Sequence, residues 1–143
     1  KAPIRIVSDK AIVKKKSQLM FFIGNVNVKQ DTMRLNSDNM KIKYKETSDS
    51  KLDIIYIEAR DNVKMNTRDI FAIGDYAYYD VKKNEIKMTG NVIIKEETNV
   101  IHAENFVYNV LTEETNISAK EGECVTIILE DIKSIEKKIE ENE

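Results

Sequence analysis

Gly24-Asn25-Val26-Asn27-Val28-Lys29-Gln30-Asp31-Thr32 returns later in the chain as Gly90-Asn91-Val92-Ile93-Ile94-Lys95-Glu96-Glu97-Thr98, a shift of 90 − 24 = 66 positions, and this return decides the fold. The same shift carries Asp9 onto Asp75, Ala11 onto Ala77, Lys16 onto Lys82 and Asn39 onto Asn105, without a gap over 9–47. A side chain that keeps its character in both copies meets the same surroundings in each. Met20, Phe22, Gly24, Val26 and Val28 map onto Ile86, Met88, Gly90, Val92 and Ile94, all apolar or glycine, whereas Leu19, Phe21 and Ile23 map onto Glu85, Lys87 and Thr89. An apolar character that recurs at every second position is the signature of a strand with one buried face, here the even-numbered one. Met40, Ile42 and Tyr44 map likewise onto Phe106, Tyr108 and Val110, and Ala11 and Val13 onto Ala77 and Tyr79.

The same alternation predicts strands over 4–7, 10–14, 19–30, 32–35, 40–45, 54–59, 62–66, 70–73, 76–81, 85–95, 100–102, 105–110, 116–119 and 124–129, with a surface loop at 46–53. Acidic residues recur at Asp9, Asp38, Asp75 and Glu104, and asparagines at Asn25, Asn62 and Asn91. With the glycines at 24, 74, 90 and 122, they predict corners and bulges where Gly or Asn supplies unusual backbone angles. The acids are expected to bond backbone donors nearby, and a carboxylate set for calcium is the alternative.

A chain of 143 residues fits one domain, taken here as 1–130, with a charged tail over 131–143. In that tail Ile132, Ile135 and Ile139 form a narrow helical stripe, too short to be stable in isolation, so a docked helix and a frayed end both stay open. With 23 basic and 25 acidic residues the net charge is -2, which offers nucleic acid no basic field. Cys124 is the single cysteine and His102 the single histidine; no internal disulfide, multi-cysteine metal site or nucleophile-and-base motif is available. Neither an enzyme nor a bound cofactor is expected. The longest apolar run, 19–23, is far short of the ~20 residues of a membrane-crossing helix. The first residue is Lys1 and not methionine, which fits a removed signal peptide or anchor, or a trimmed chain.

The ordered set Pro3-Ile4-Arg5-Ile6 with Ser8-Asp9, Phe22-Ile23-Gly24-Asn25-Val26 with Val28 and Gln30, Leu35-Asn36-Ser37-Asp38, Met88-Thr89-Gly90-Asn91-Val92 and Val125-Thr126-Ile127-Ile128-Leu129 resembles the OstA-like, LptA-type lipopolysaccharide-transport proteins. The resemblance implies an all-β jellyroll of two packed antiparallel sheets forming an open V-shaped groove. It also implies a periplasmic, non-enzymatic carrier that holds the acyl chains of lipopolysaccharide (lipid A) and bridges the inner and outer membranes. Its partners would be homologous β-jellyroll domains of inner- and outer-membrane components, in a head-to-tail stack. The membrane-anchored, LptC-like partner of the same pathway shares this domain and is the alternative, as is a β scaffold whose interior is only core.

On that resemblance the inward stripe becomes a lipid site: Val13, Met20, Phe22, Val26, Val28, Met40, Ile42, Tyr44, Tyr79, Ile86, Met88, Val92, Ile94, Phe106 and Tyr108. Flexible methionines suit an irregular guest. The first strand, with Ile4 and Ile6, and the last, with Val125, Ile127, Ile128 and Leu129, are expected to be free edges that pair with neighbouring copies or partners. Leu19, Phe21 and Ile23, apolar only in the first copy, are either a contact surface or a patch covered by the tail isoleucines.

Overall fold

The structure is a computed structural model and describes residues 2–129. Ten strands follow one another: β1 (Arg5–Val7), β2 (Lys10–Lys14), β3 (Leu19–Gln30), β4 (Met33–Glu46), β5 (Leu52–Asn66), β6 (Ile70–Asp80), β7 (Glu85–Glu96), β8 (Asn99–Asn109), β9 (Thr115–Ser118) and β10 (Thr126–Ile128). No helix occurs among the described residues, and the helical or frayed tail expected over 131–143 lies outside them. From β3 to β8 each strand pairs antiparallel with the next; β1 and β2 both pair with β3, and β9 and β10 both pair with β8. Tight turns join them, with Asp31, Asn84 and Glu97 taking the left-handed backbone angles that such turns need.

Several strands that the sequence divides are continuous. The predicted pairs 32–35 and 40–45, 54–59 and 62–66, 70–73 and 76–81, and 100–102 and 105–110 are the single strands β4, β5, β6 and β8. Clusters of Gly, Asn and Asp read as turns, but here they are bulges, after which the ladder resumes. Only β1 and β2 stay apart. Their pairings Arg5↔Lys29 and Lys10↔Ile23 recur, at the repeat shift, as Phe71↔Lys95 and Tyr76↔Thr89 within one unbroken β6. Gly74 lets β6 run through, because a Cβ there would lie 2.8 Å from Met88 Cγ. Ser8 occupies the matching place between β1 and β2, and its hydroxyl donates to Lys10 O at 3.1 Å. At the other end the last strand is shorter than expected, three residues in place of 124–129.

The bulges give the molecule its shape. On one side of them lie β2, β9 and residues 19–23, 39–46, 52–60, 76–80, 85–89 and 105–109 of the long strands, here called the first wall; on the other lie β1, β10 and residues 26–30, 33–37, 63–66, 70–73, 92–96 and 99–103, the second wall. The two layers of the jellyroll are thus joined, since β3 to β8 each serve both. Between them sits one apolar core, whose members include Ile42, Ile57, Tyr79 and Ile86 from the first wall and Val28, Leu35, Met65 and Ile94 from the second. Ser37 is the one buried polar residue among those described, and its hydroxyl donates to Asn39 O at 2.8 Å.

Candidate functional site

Two inward rows line the first wall: Val13–Met20–Ile42–Ile57–Tyr79–Ile86–Tyr108 and Ala11–Phe22–Met40–Ala59–Ala77–Met88–Phe106–Ile117. Facing them on the second wall is Ile6–Val28–Leu35–Met65–Ala72–Ile94–Ile101–Ile127. The alternation therefore places Met20, Phe22, Met40, Ile42, Tyr79, Ile86, Met88, Phe106 and Tyr108 on one inner surface, with Val26, Val28, Val92 and Ile94 on the surface opposite.

Those residues differ in what they touch. In the middle of the sheet the inward side chains are sealed against one another, Ile86, Met88 and Phe106 all at 0% exposure. Space opens only toward the ends. Beside β1 a hollow of about 660 Å³ is bordered by Ile4 and Ile6 from the second wall and by Met20, Ile42, Tyr44 and Ile54 from the first. That size lies within the ~300–1,000 Å³ of small-ligand sites. Of the expected lipid residues, Met20, Ile42 and Tyr44 reach this hollow; Val13, on the edge strand β2, faces largely into solvent at 51% exposure.

Ile54, Leu52 and Val81 border the hollow and were not singled out from the sequence. The signal of Ile54 is broken by a register shift between Lys43↔Tyr56 and Tyr44↔Ile54. Ile54 and Ile57 both turn inward across it, which destroys the period of two that would have marked them. A polar tie crosses the interior close by. The Tyr79 hydroxyl donates to Gln30 Oε1 at 2.7 Å, and Gln30 Nε2 donates to Ala2 O at 3.0 Å. Burial pushes the Tyr79 phenol pKa up, so it holds its proton and remains a donor.

Among the described residues the recurring acids Asp9, Asp38 and Asp75 accept from asparagine side chains one strand away, in place of the nearby backbone donors expected. Asn25 Nδ2 donates to Asp9 Oδ2 at 2.9 Å, Asn62 to Asp38 at 2.7 Å and Asn91 to Asp75 at 3.0 Å, while Glu104 lies 3.9 Å from Lys120. Among the described residues no three metal-ligating side chains gather. His102, Glu104 and Cys124 border a second hollow of about 320 Å³ near β10, with no hydrogen bond between His102 and Cys124 among the described residues.

The edges also face opposite ways. β1 and β2 flank one end of the sheet and β9 and β10 the other. Val7, Val13, Ile127, Ile128 and Leu129 stand at these ends with half or more of their surface exposed. Because β3 and β8 run antiparallel through the meander, β1 and β10 point in opposite senses, and so do β2 and β9.

Comparison with known proteins follows the same lines. The family model described as "LptA/(LptD N-terminal domain) LPS transport protein" matches residues 5–114. The chain is 23% identical over 134 residues to the lipopolysaccharide export system protein LptA of Escherichia coli K12, covering 89% of this chain and 70% of that one. It is 31% identical over 103 residues to an uncharacterized protein of Rhizobium meliloti, covering 68% and 55%. In fold it is similar to LptH, the LptA-homologous periplasmic component of the lipopolysaccharide transport device of Pseudomonas aeruginosa, with TM-score 0.78, 17% identity and 91% and 96% of the two chains covered.

Proposed function

Because the chain belongs to the LptA/LptD N-terminal-domain family of lipopolysaccharide-transport proteins, we propose that residues 1–130 form a non-enzymatic periplasmic carrier that holds the acyl chains of lipopolysaccharide between its walls. The carrying observation is the continuous apolar interior that opens into the hollow at Ile4, Ile6, Met20, Ile42, Tyr44 and Ile54. Each methylene moved from water into such surroundings contributes about 0.8 kcal/mol, so partial burial of a few chains is enough for binding. The sealed centre limits the depth of burial, as hand-off along a series of carriers requires.

Lipopolysaccharide would then pass between stacked domains. If β10 of one copy meets β1 of the next, the new pair is antiparallel, and β9 meeting β2 is antiparallel as well, so both walls continue together. Such a contact is heterologous and propagates, and homologous domains of membrane partners fit the same edges. Photo-crosslinking tests the reading. A benzophenone side chain in place of Met20 or Phe22 is expected to capture lipopolysaccharide in the cell envelope, and one in place of Lys41 or Lys87, on the outer face, is not. Equal capture at all four positions would remove the groove as the site.

A further inference from the structure

The bulges of three strands stand in one line across the sheet. In β3 the pair Gly24-Asn25 opposes the single Asp38 of β4; in β5 Asp61-Asn62 opposes Asp75 of β6; in β7 Gly90-Asn91 opposes Glu104 of β8. All six bulge residues have positive φ, between 49° and 83°. Four of them, Asn25, Asp61, Asn62 and Asn91, are not glycine, and such angles persist in a non-glycine residue only when the surroundings hold them there.

What holds them is a row of side chains that alternates acid and amide from strand to strand: Asp9, Asn25, Asp38, Asn62, Asp75, Asn91. Each asparagine amide donates to the acid before it, and Asn39 Nδ2 adds a reverse bond to Asp61 Oδ2 at 3.0 Å. The acids pack directly on the bulges. A Cβ built on Gly24 would lie 2.6 Å from Asp9 Oδ2, and one on Gly90 2.7 Å from Asp75 Oδ2. Asp9 N also donates to Gly24 O at 2.9 Å, which brings the β1–β2 junction into the row.

A single bulge bends one strand; bulges kept in register bend a whole sheet. We propose that this acid–amide row is the hinge line that sets the angle between the two walls, and that it thereby determines how wide a lipid the groove admits. The angle stands on the bonds just described; its consequence for cargo rests on the carrier reading above. Asp9, Asp38 and Asp75 with Asn25, Asn62 and Asn91 are positioning residues in this scheme, touching no lipid themselves.

The test measures the bend directly. Spin labels on cysteines replacing Lys87 and Lys95, exposed positions on either side of the β7 bulge, are read by pulsed dipolar spectroscopy in a Cys124→Ser background. Asn91→Gly keeps the left-handed angle but loses the amide, and Asp75→Ala loses the acceptor; both are expected to shift and broaden the distance distribution. Asp75→Asn retains a carbonyl acceptor and is expected to restore the original distribution. If either Asn91→Gly or Asp75→Ala folds with an unaltered distribution, the hinge is overturned. If both leave the fold incomplete, the same labels with Asn62→Gly decide the matter by the same criterion. Lipopolysaccharides differing in acyl-chain number are then offered to each variant. A changed preference supports control of cargo by the hinge. An altered distance with unchanged preference overturns that control and leaves the hinge standing, and loss of all capture by the wild-type chain overturns the carrier reading instead.

Discussion

Two stretches of the chain share a sequence pattern and have different surroundings. Ile86 and Met88, in the middle of the sheet, are wholly buried, whereas Met20 and Phe22, their equivalents 66 positions earlier, are only partly buried. The reason is position in the sheet. β7 lies between the long strands β6 and β8, while β3 has long β4 on one side and only the short pieces β1 and β2 on the other. The same alternation produces a sealed core where neighbours flank it and an open apolar mouth where the sheet ends. On the carrier reading proposed above, the sealed stretch would supply stability and the open stretch room for a guest.

The largest expected effect separates the two. Phe106→Ala, in the sealed centre, should lower the unfolding free energy by about 3–5 kcal/mol, the usual cost of removing a buried phenylalanine. Phe22→Ala should cost distinctly less in the same urea titration while reducing lipopolysaccharide capture. Equal losses would show that the mouth is as well packed as the centre.

A second contrast lies in the glycines. Gly90→Ala and Gly24→Ala both force a side chain into the left-handed region, at about 1–2 kcal/mol, and both push a carboxylate aside. Asp75 lies between flanking strands on both sides, but Asp9 stands at the edge beside solvent and can swing away. Thermal melts should therefore place Gly90→Ala below Gly24→Ala. The reverse order would mean that the edge is the more rigid end of the hinge line.

The smallest effect concerns alkaline pH. Burial, reinforced by the charge and hydrogen bonding of Glu58, pushes the Tyr76 pKa from 10.0 to about 12. Its counterpart in the first copy is Lys10. Since the folded chain holds the phenol proton more tightly than the unfolded one, this contribution is complete below the ordinary tyrosine pKa and is lost as pH rises from about 10 through about 12. Tyr76→Phe should flatten the stability profile in that window, as read by urea midpoints. An unchanged slope would assign the fall to Tyr78, whose pKa is also raised by burial.

Much of this is legible in the amino-acid sequence. The repeat at Gly24 and Gly90 marked the inward face of β3 and β7 correctly, because one sheet face buried in both copies leaves the same apolar positions in each. The acids and asparagines spaced along the chain were marked as corners. What those corners do was not legible: a bulge and a turn draw on the same residues, and only the pairing on either side tells them apart. At Ile54 a register shift removes the periodicity that would mark its inward face.

Local choices are written along the chain: strand rather than helix, which face is apolar, and where left-handed angles are needed. These depend on neighbours along the chain, and alternation and residue type record them. Only the pairing of strands brings Asp9, Asn25, Asp38, Asn62, Asp75 and Asn91 into one row, and leaves Met20 bordering a hollow that Ile86 does not reach. Both outcomes depend on which strands lie side by side and on which of them has a neighbour missing. Such facts arise from pairing between residues distant in sequence, and no single stretch of chain contains them.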